Sequence, residues 1–148
     1  MRGSPPEQAA ALASNHLSET AAGLELRHPR YRAEFTAAGV RVEPRQGALR
    51  WQWRLQGVAR AATPLEGVNV GAVRPHALRG PEGTLVRYPR GVLTEQYVLR
   101  EGSLEQQFVL AEPLPLQGAD LVVRGRITVP AGLSAPSAAG AGAPIGVR

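Results

Sequence analysis

The chain contains no cysteine and no lysine. Without sulfur there are no disulfides, no thiolate-bound zinc or iron-sulfur cluster and no thiol nucleophile, and the redox compartment stays undetermined. All 17 basic residues are Arg, which also excludes a P-loop lysine, a Schiff base and a Ser-Lys dyad. The acidic side is as lopsided, with eleven Glu and a single Asp, Asp120. A calcium loop that needs several closely spaced carboxylates does not fit that composition. Long apolar runs are missing too. The longest early one is Ala9 to Ala13, between Gln8 and Ser14, far short of the roughly 18 residues of a transmembrane helix. Glu7 beside Arg2 is not the positive cluster of a signal peptide. The chain as written is expected either to stay inside the cell or to have lost an export signal.

What is present is 148 residues with a net charge of +5. That length suits one domain, or a smaller domain with flexible ends. Excess positive charge invites a nucleic-acid partner, because cationic stripes attract phosphate and release counterions. The distribution speaks against it. The arginines run from Arg2 to Arg148 with no two adjacent, and close pairs such as Arg30/Arg32 and Arg124/Arg126 have strand spacing. No specific nucleic-acid partner is expected.

Residues 1–29 are mixed in composition and read as a flexible or partly helical segment, with Glu7 to Leu17 as a short helix. From Tyr31 the chain turns to short alternating runs separated by turn residues, the pattern of an all-β domain. Ala33 to Thr36 and Val40 to Glu43 flank Ala37-Ala38-Gly39 as a first hairpin. Leu49 to Arg60 alternates most strictly, with Leu49, Trp51, Trp53 and Leu55 on one face and Arg50, Gln52, Arg54 and Gln56 on the other. Thr63 to Pro81 is poorly patterned and is expected to hold one irregular edge strand around Val68 to Val73. Thr84 to Tyr88, Val92 to Leu99, Leu104 to Leu110 and Asp120 to Val129 supply further strands. From Pro130 the composition becomes Ala, Gly, Pro and Ser, which reads as a linker. The expected fold is an antiparallel β-sandwich, jelly-roll-like or immunoglobulin-like, of seven or eight strands over residues 30–130, with a disordered linker over 131–148.

The hairpin around Arg100-Glu101-Gly102-Ser103 carries most information, because Gly102 can take the positive φ of a tight turn. If Arg100 pairs with Ser103, Leu99 faces Leu104, Tyr97 faces Gln106, Glu95 faces Phe108 and Leu93 faces Leu110. Opposite residues share a face, so Glu95 and Gln106 go inward among apolar neighbours as a buried polar pair. A buried carboxylate needs partners; Gln106 lies diagonal to it, and an arginine such as Arg87 is in reach from the adjoining strand. Replacing Glu95 by Ala is expected to cost about 1 to 3 kcal/mol through an orphaned partner. Glu105 then points to the opposite face from Glu95, which speaks against the paired carboxylates of a glycosidase.

The same residues carry a resemblance. Val86, Tyr88, Gly91, Glu95 and Tyr97, then Gly102, Leu104, Glu105, Gln106 and Phe108, resemble a stretch of large bacterial surface proteins that runs Val-x-Tyr-x-x-Gly-x-x-x-Glu-Trp-Tyr and then Gly-Leu-Glu-Gln-Gly-Phe. Gln96, Ser103 and Gln107 depart from it. The Phe35-to-Val42 hairpin and the Trp51-to-Leu55 strand resemble the opening of the same module, so the likeness covers residues 28–130. It implies a β-sandwich lying ahead of integrin-alpha-like FG-GAP or other β-propeller repeats. The function it implies is a non-catalytic structural or interaction module of an exported, extracellular or cell-surface protein, with other domains of the same polypeptide or other surface proteins as partners. In such proteins calcium and ligand contacts belong to the repeats, so no cofactor or metal is expected here.

Other candidates are weaker. His16, His28 and His76 lack the spacing of a zinc site. A Ser-His-Asp triad would have to use Asp120, and no Gly-x-Ser-x-Gly elbow is present. Gly67 to Gly71 and Gly80 to Gly83 lack phosphate-loop spacing and read as turns. The expected core is Trp51, Trp53, Tyr97 and Phe108, with both tryptophans packed rather than exposed for sugar stacking. A carbohydrate- or polyanion-binding module is the alternative, using Arg50, Arg54, Arg124 and Arg126. A glycosidase-like enzyme stands last.

Overall fold

Short alternating segments between turn residues form strands, and the computed structural model contains eleven of them among the residues it describes, 16–46, 50–81, 83–100, 102–112 and 120–129. They are β1 (His16–Glu19), β2 (Gly23–Arg27), β3 (Tyr31–Thr36), β4 (Gly39–Pro44), β5 (Trp51–Arg60), β6 (Thr63–Pro64), β7 (His76–Gly80), β8 (Gly83–Arg90), β9 (Leu93–Arg100), β10 (Ser103–Leu110) and β11 (Leu121–Thr128). Two antiparallel sheets result. One runs β1-β2-β3-β4-β5-β11, with β6 also on β5, and the other β10-β9-β8-β7. The chain makes β1 to β6 as a meander, crosses to make β7 to β10, and returns in β11 beside β5.

The core lies between the sheets. Leu24, Leu26, Ala33, Phe35, Val40 and Val42 from the first sheet meet Val86, Tyr88, Tyr97 and Leu99 from the second. A second cluster joins Leu55 and Val58 to Leu93 and Phe108. Each fully buried Leu, Val or Phe side chain contributes about 1.5 to 3 kcal/mol relative to exposure. An aromatic contact crosses the gap: Phe35 on β3 meets Tyr97 on β9 with ring centroids 5.3 Å apart.

Several expectations need correction. The first sheet takes in His16–Glu19 and Gly23–Arg27, so the domain starts well before residue 30 and Leu17 is in a strand, not a helix. Leu24 and Leu26, on one face of β2, bury into the core, and that burial stabilises a segment whose mixed composition reads as adaptable. The remainder of the expected helix, and the linker over 131–148, lie outside the described residues. The irregular edge strand is His76–Gly80, not Val68 to Val73; Val68 makes only an isolated bridge to Gly91. With β1, β2 and the two-residue β6, the strands exceed seven or eight.

The β9–β10 register is the one expected from the Gly102 turn, with Leu104 opposite Leu99, Gln106 opposite Tyr97 and Phe108 opposite Glu95. Gly102 has φ +77°, as that turn requires. The first hairpin is tighter than expected, Thr36 pairing with Gly39 across Ala37-Ala38. On β5, Trp51, Trp53 and Leu55 face the second sheet until a register shift against β11. Gly125 opposes Leu55 and Arg124 opposes Gly57, leaving Gln56 as the extra residue. That bulge lets Leu55 and Val58, three apart, both bury.

Candidate functional site

Tyr88, Arg90, Glu95, Tyr97 and Gln106 point to the same side of the second sheet, because residues two apart share a face and Tyr88 lies opposite Glu95, and Gln106 opposite Tyr97. Across the gap stands Trp53 of β5. Glu95 is 2% exposed and both its oxygens are occupied. Oε1 accepts from Arg90 Nε at 2.9 Å. Oε2 accepts from the Tyr97 hydroxyl at 2.6 Å, from Trp53 Nε1 at 3.0 Å and, more weakly, from Gln106 Nε2 at 3.4 Å. Gln106 also donates to the Tyr97 hydroxyl at 2.9 Å. Burial and the Glu95 charge push the phenols of Tyr97 and Tyr88 far above the usual tyrosine range, so both remain proton donors.

The cation of this junction is an arginine of the adjoining strand, Arg90 rather than Arg87. Arg87 lies opposite Gln96 on the outer face and donates to Gln96 Oε1 at 3.0 Å. There it begins a polar ladder that continues from Gln96 to Gln107 and from Gln107 to Glu105, with Arg100 closing on Glu105. Glu105 therefore sits across the sheet from Glu95. Arg90 reaches inward, its Nη1 donating to the carbonyls of Asn69 at 3.0 Å and Gly71 at 2.9 Å. The Gly67-to-Gly71 segment thus turns carbonyls toward a buried cation, the reverse of a phosphate loop.

Beside the junction the sheets part into a cleft of about 290 Å3, lined by Tyr31, Val42, Trp51, Trp53, Tyr97, Leu104, Gln106 and Ile127. Trp51 and Trp53 are its partly buried walls, packed against the two core clusters but not sealed inside them; Tyr97 and Phe108 are buried. The Trp53 indole covers Gly125, where an added Cβ would collide with Cη2, Cζ2 and Cζ3. The Tyr31 hydroxyl is buried without a hydrogen-bond partner among the described residues. Ile127, at the open side, is 51% exposed.

The outer face of the first sheet is polar. Toward β1 its arginines are neutralised: Arg27 and Arg32 hold Glu25 at 2.6 and 2.9 Å, and Arg32 and Arg41 reach Glu34 at 2.8 and 4.0 Å. The hydrogen bonds from Arg27 and then Arg32 draw the Glu25 carboxyl below its usual range. Arg50 stands 4.0 Å from Glu43. Toward β11 the pattern changes. Arg54 lies directly opposite Arg126, with Arg124 two residues along the same face. Among the described residues none of these three has an ion-pair or hydrogen-bond partner. The fold therefore brings Arg54, Arg124 and Arg126 together and leaves Arg50 apart.

Of the histidines, His16 and His76 are exposed, and His28 is buried against Tyr31 with ring centroids 4.6 Å apart. Burial, followed by the charges of Arg30 and Arg45, lowers its basicity, and its Nδ1 accepts from the Arg30 amide at 3.0 Å. Among the described residues no three His, Asp or Glu gather as metal ligands. Asp120 is exposed just before β11. No family model, curated protein or solved structure matches the chain.

Proposed function

We infer that the chain is a non-catalytic structural and interaction module of a larger exported bacterial cell-surface protein of the FG-GAP or β-propeller kind. The observation that carries this reading is the use made of Glu95. Its two oxygens take hydrogen bonds from four side chains on β5, β8, β9 and β10, so this carboxylate beside the cleft holds the sheets together instead of facing a substrate. The residues on which the resemblance rests support it as well: Tyr88, Glu95, Tyr97, Gln106 and Phe108 meet in this junction and the core around it. The finer grouping, jelly-roll-like or immunoglobulin-like, belongs to the same reading. Its support is the return of the chain from the second sheet to pair β11 with β5, a Greek-key kind of connection.

The test is accessibility on the parent protein in its own cells. An antibody against the folded module is expected to label intact cells; labelling only after permeabilisation would overturn the reading.

A second reading, a carbohydrate- or polyanion-binding module, is favoured by Arg54 standing opposite Arg126 with no acidic partner among the described residues. Like charges directly opposed on a sheet repel, and a bound polyanion would relieve that repulsion. It expects heparin retention that disappears at modest salt and in an Arg54→Gln/Arg126→Gln variant; retention unaffected by the variant would remove it.

A further inference from the structure

We propose that the open edge of β11 is a docking site for an extended protein segment in which acidic and apolar residues alternate, added as a further strand to the first sheet. The proposal rests on the interaction-module reading and names the surface and the partner's chemistry. Three observations converge on β11. Among the described residues it pairs on one side only, with β5, so an eight-residue strand offers a row of backbone donors and acceptors along its other side. Such edges template the addition of a strand.

The two faces of β11 then specify what would pair there. On the outer face Arg124 and Arg126 stand with Arg54 opposite Arg126, without an acidic partner among the described residues. Arg27, Arg32 and Arg41, on the same face of the sheet, all have theirs. Cross-strand neighbours share a face and interact directly, so acidic side chains on an added strand would stand beside Arg124 and Arg126. On the inner face Leu121, Val123 and Ile127 alternate with the arginines. Ile127 lines the aromatic cleft yet is 51% exposed, because no strand lies beyond it among the described residues. Apolar residues at the alternate positions of an added strand would cover Ile127 and close the open side of the cleft. Acid outward and apolar inward at period two is a sequence that β11 selects by charge and by hydrophobicity together.

The probe is an acetylated, amidated peptide of eight residues alternating Glu and Val, titrated into the full chain with backbone amide shifts followed by NMR. Shifts are expected to concentrate on residues 121–128. Binding should weaken about tenfold for Arg124→Gln/Arg126→Gln, the loss of favourable charge pairs across a strand, while the melting temperature is at least that of the parent, since the Arg54–Arg126 repulsion is relieved. A peptide of the same composition with its glutamates in one block should bind at least as weakly. Of two peptides N-methylated on alternate residues, one phase should lose binding and the other keep it, because only one set of amides faces β11. Absence of shifts on β11 overturns the proposal. So does equal binding of the block peptide and both N-methylated peptides, which would leave the arginines as a polyanion patch that heparin also occupies. Either failure with surface labelling intact removes the docking edge and leaves the module reading standing.

Discussion

Trp53 Nε1 donates to Glu95 Oε2 at 3.0 Å, a side-chain hydrogen bond that crosses from one sheet to the other. Around it the buried ion pair with Arg90 and the hydroxyl of Tyr97 complete a junction in which each partner depends on the others. A charge removed from water at this depth is tolerated only because its lone pairs are filled.

The cost of removing Glu95 therefore exceeds what an orphaned amide alone would suggest. Arg90 and Glu95 have side-chain exposures of 4% and 2%, so Glu95→Ala leaves a guanidinium buried and unpaired. A loss of about 3 to 5 kcal/mol is expected, read from urea denaturation. An unchanged midpoint would show that the junction contributes nothing to stability.

Gly125 is expected to tolerate no side chain while Trp53 is present. Gly125→Ala forces the indole off its seat and should cost about 1 to 3 kcal/mol through overpacking. In a Trp53→Leu background the same substitution should cost much less, because the ring is gone. Additive costs in this double-mutant cycle would refute the contact.

Tyr31→Phe is expected to stabilise the protein. Its hydroxyl is buried with no partner among the described residues, and a lone buried polar group costs about 1 to 3 kcal/mol. Removing it should raise the melting temperature without changing the ring stack on His28. A lower melting temperature would mean that the hydroxyl has a partner in solution.

Acid should weaken the fold in two stages. His28 has its pKa lowered from 6.5 in the folded chain, so the unfolded chain takes up its proton first as pH falls. Its contribution is complete above 6.5 and is lost below that value, down through the folded pKa. Glu25 is lowered from 4.5; its contribution is present above that value and is lost as pH falls through the folded pKa. Melting temperatures across pH should show the upper stage flattened in His28→Asn and the lower one in Glu25→Gln. A wild-type slope between about pH 7 and pH 5 that His28→Asn leaves untouched would contradict the assignment.

Much of the junction is legible in the order of residues. The turn at Gly102 sets the pairing of Tyr97 with Gln106 and Glu95 with Phe108, and parity then turns Glu95 inward and Glu105 outward. The cation is not legible in the same way, for a traceable reason. Pro89 reads as the end of a strand, which makes Arg87 the last arginine in reach. In the fold β8 continues through Pro89 to a two-residue turn at Gly91-Val92, so Arg90 pairs with Leu93 and shares the face of Tyr88 and Glu95. The edge strand escapes a local reading because the alternation at Val68-Asn69-Val70 lies upstream of the strand that forms at His76–Gly80, and residues 68–73 contribute only the Val68 bridge. Their path is held by Arg90 reaching the Asn69 and Gly71 carbonyls, a contact between segments far apart in the chain.

Residue order alone separates the two faces of a regular strand, because side chains alternate with a period of two and that property is local; the bulge at Gln56 and the burial of both faces of β9 are decided by neighbouring strands. Composition alone excludes thiol and lysine chemistry outright. Which donors reach Glu95 is a matter of packing, since Trp53 lies 42 residues away and arrives through the stacking of one sheet on another. The same stacking opens the cleft at Ile127, and the pairing of β11 with β5 gathers Arg54, Arg124 and Arg126 on the outer face. Distances between separate strands follow from sheet order and register, and these are fixed only when the whole chain has folded.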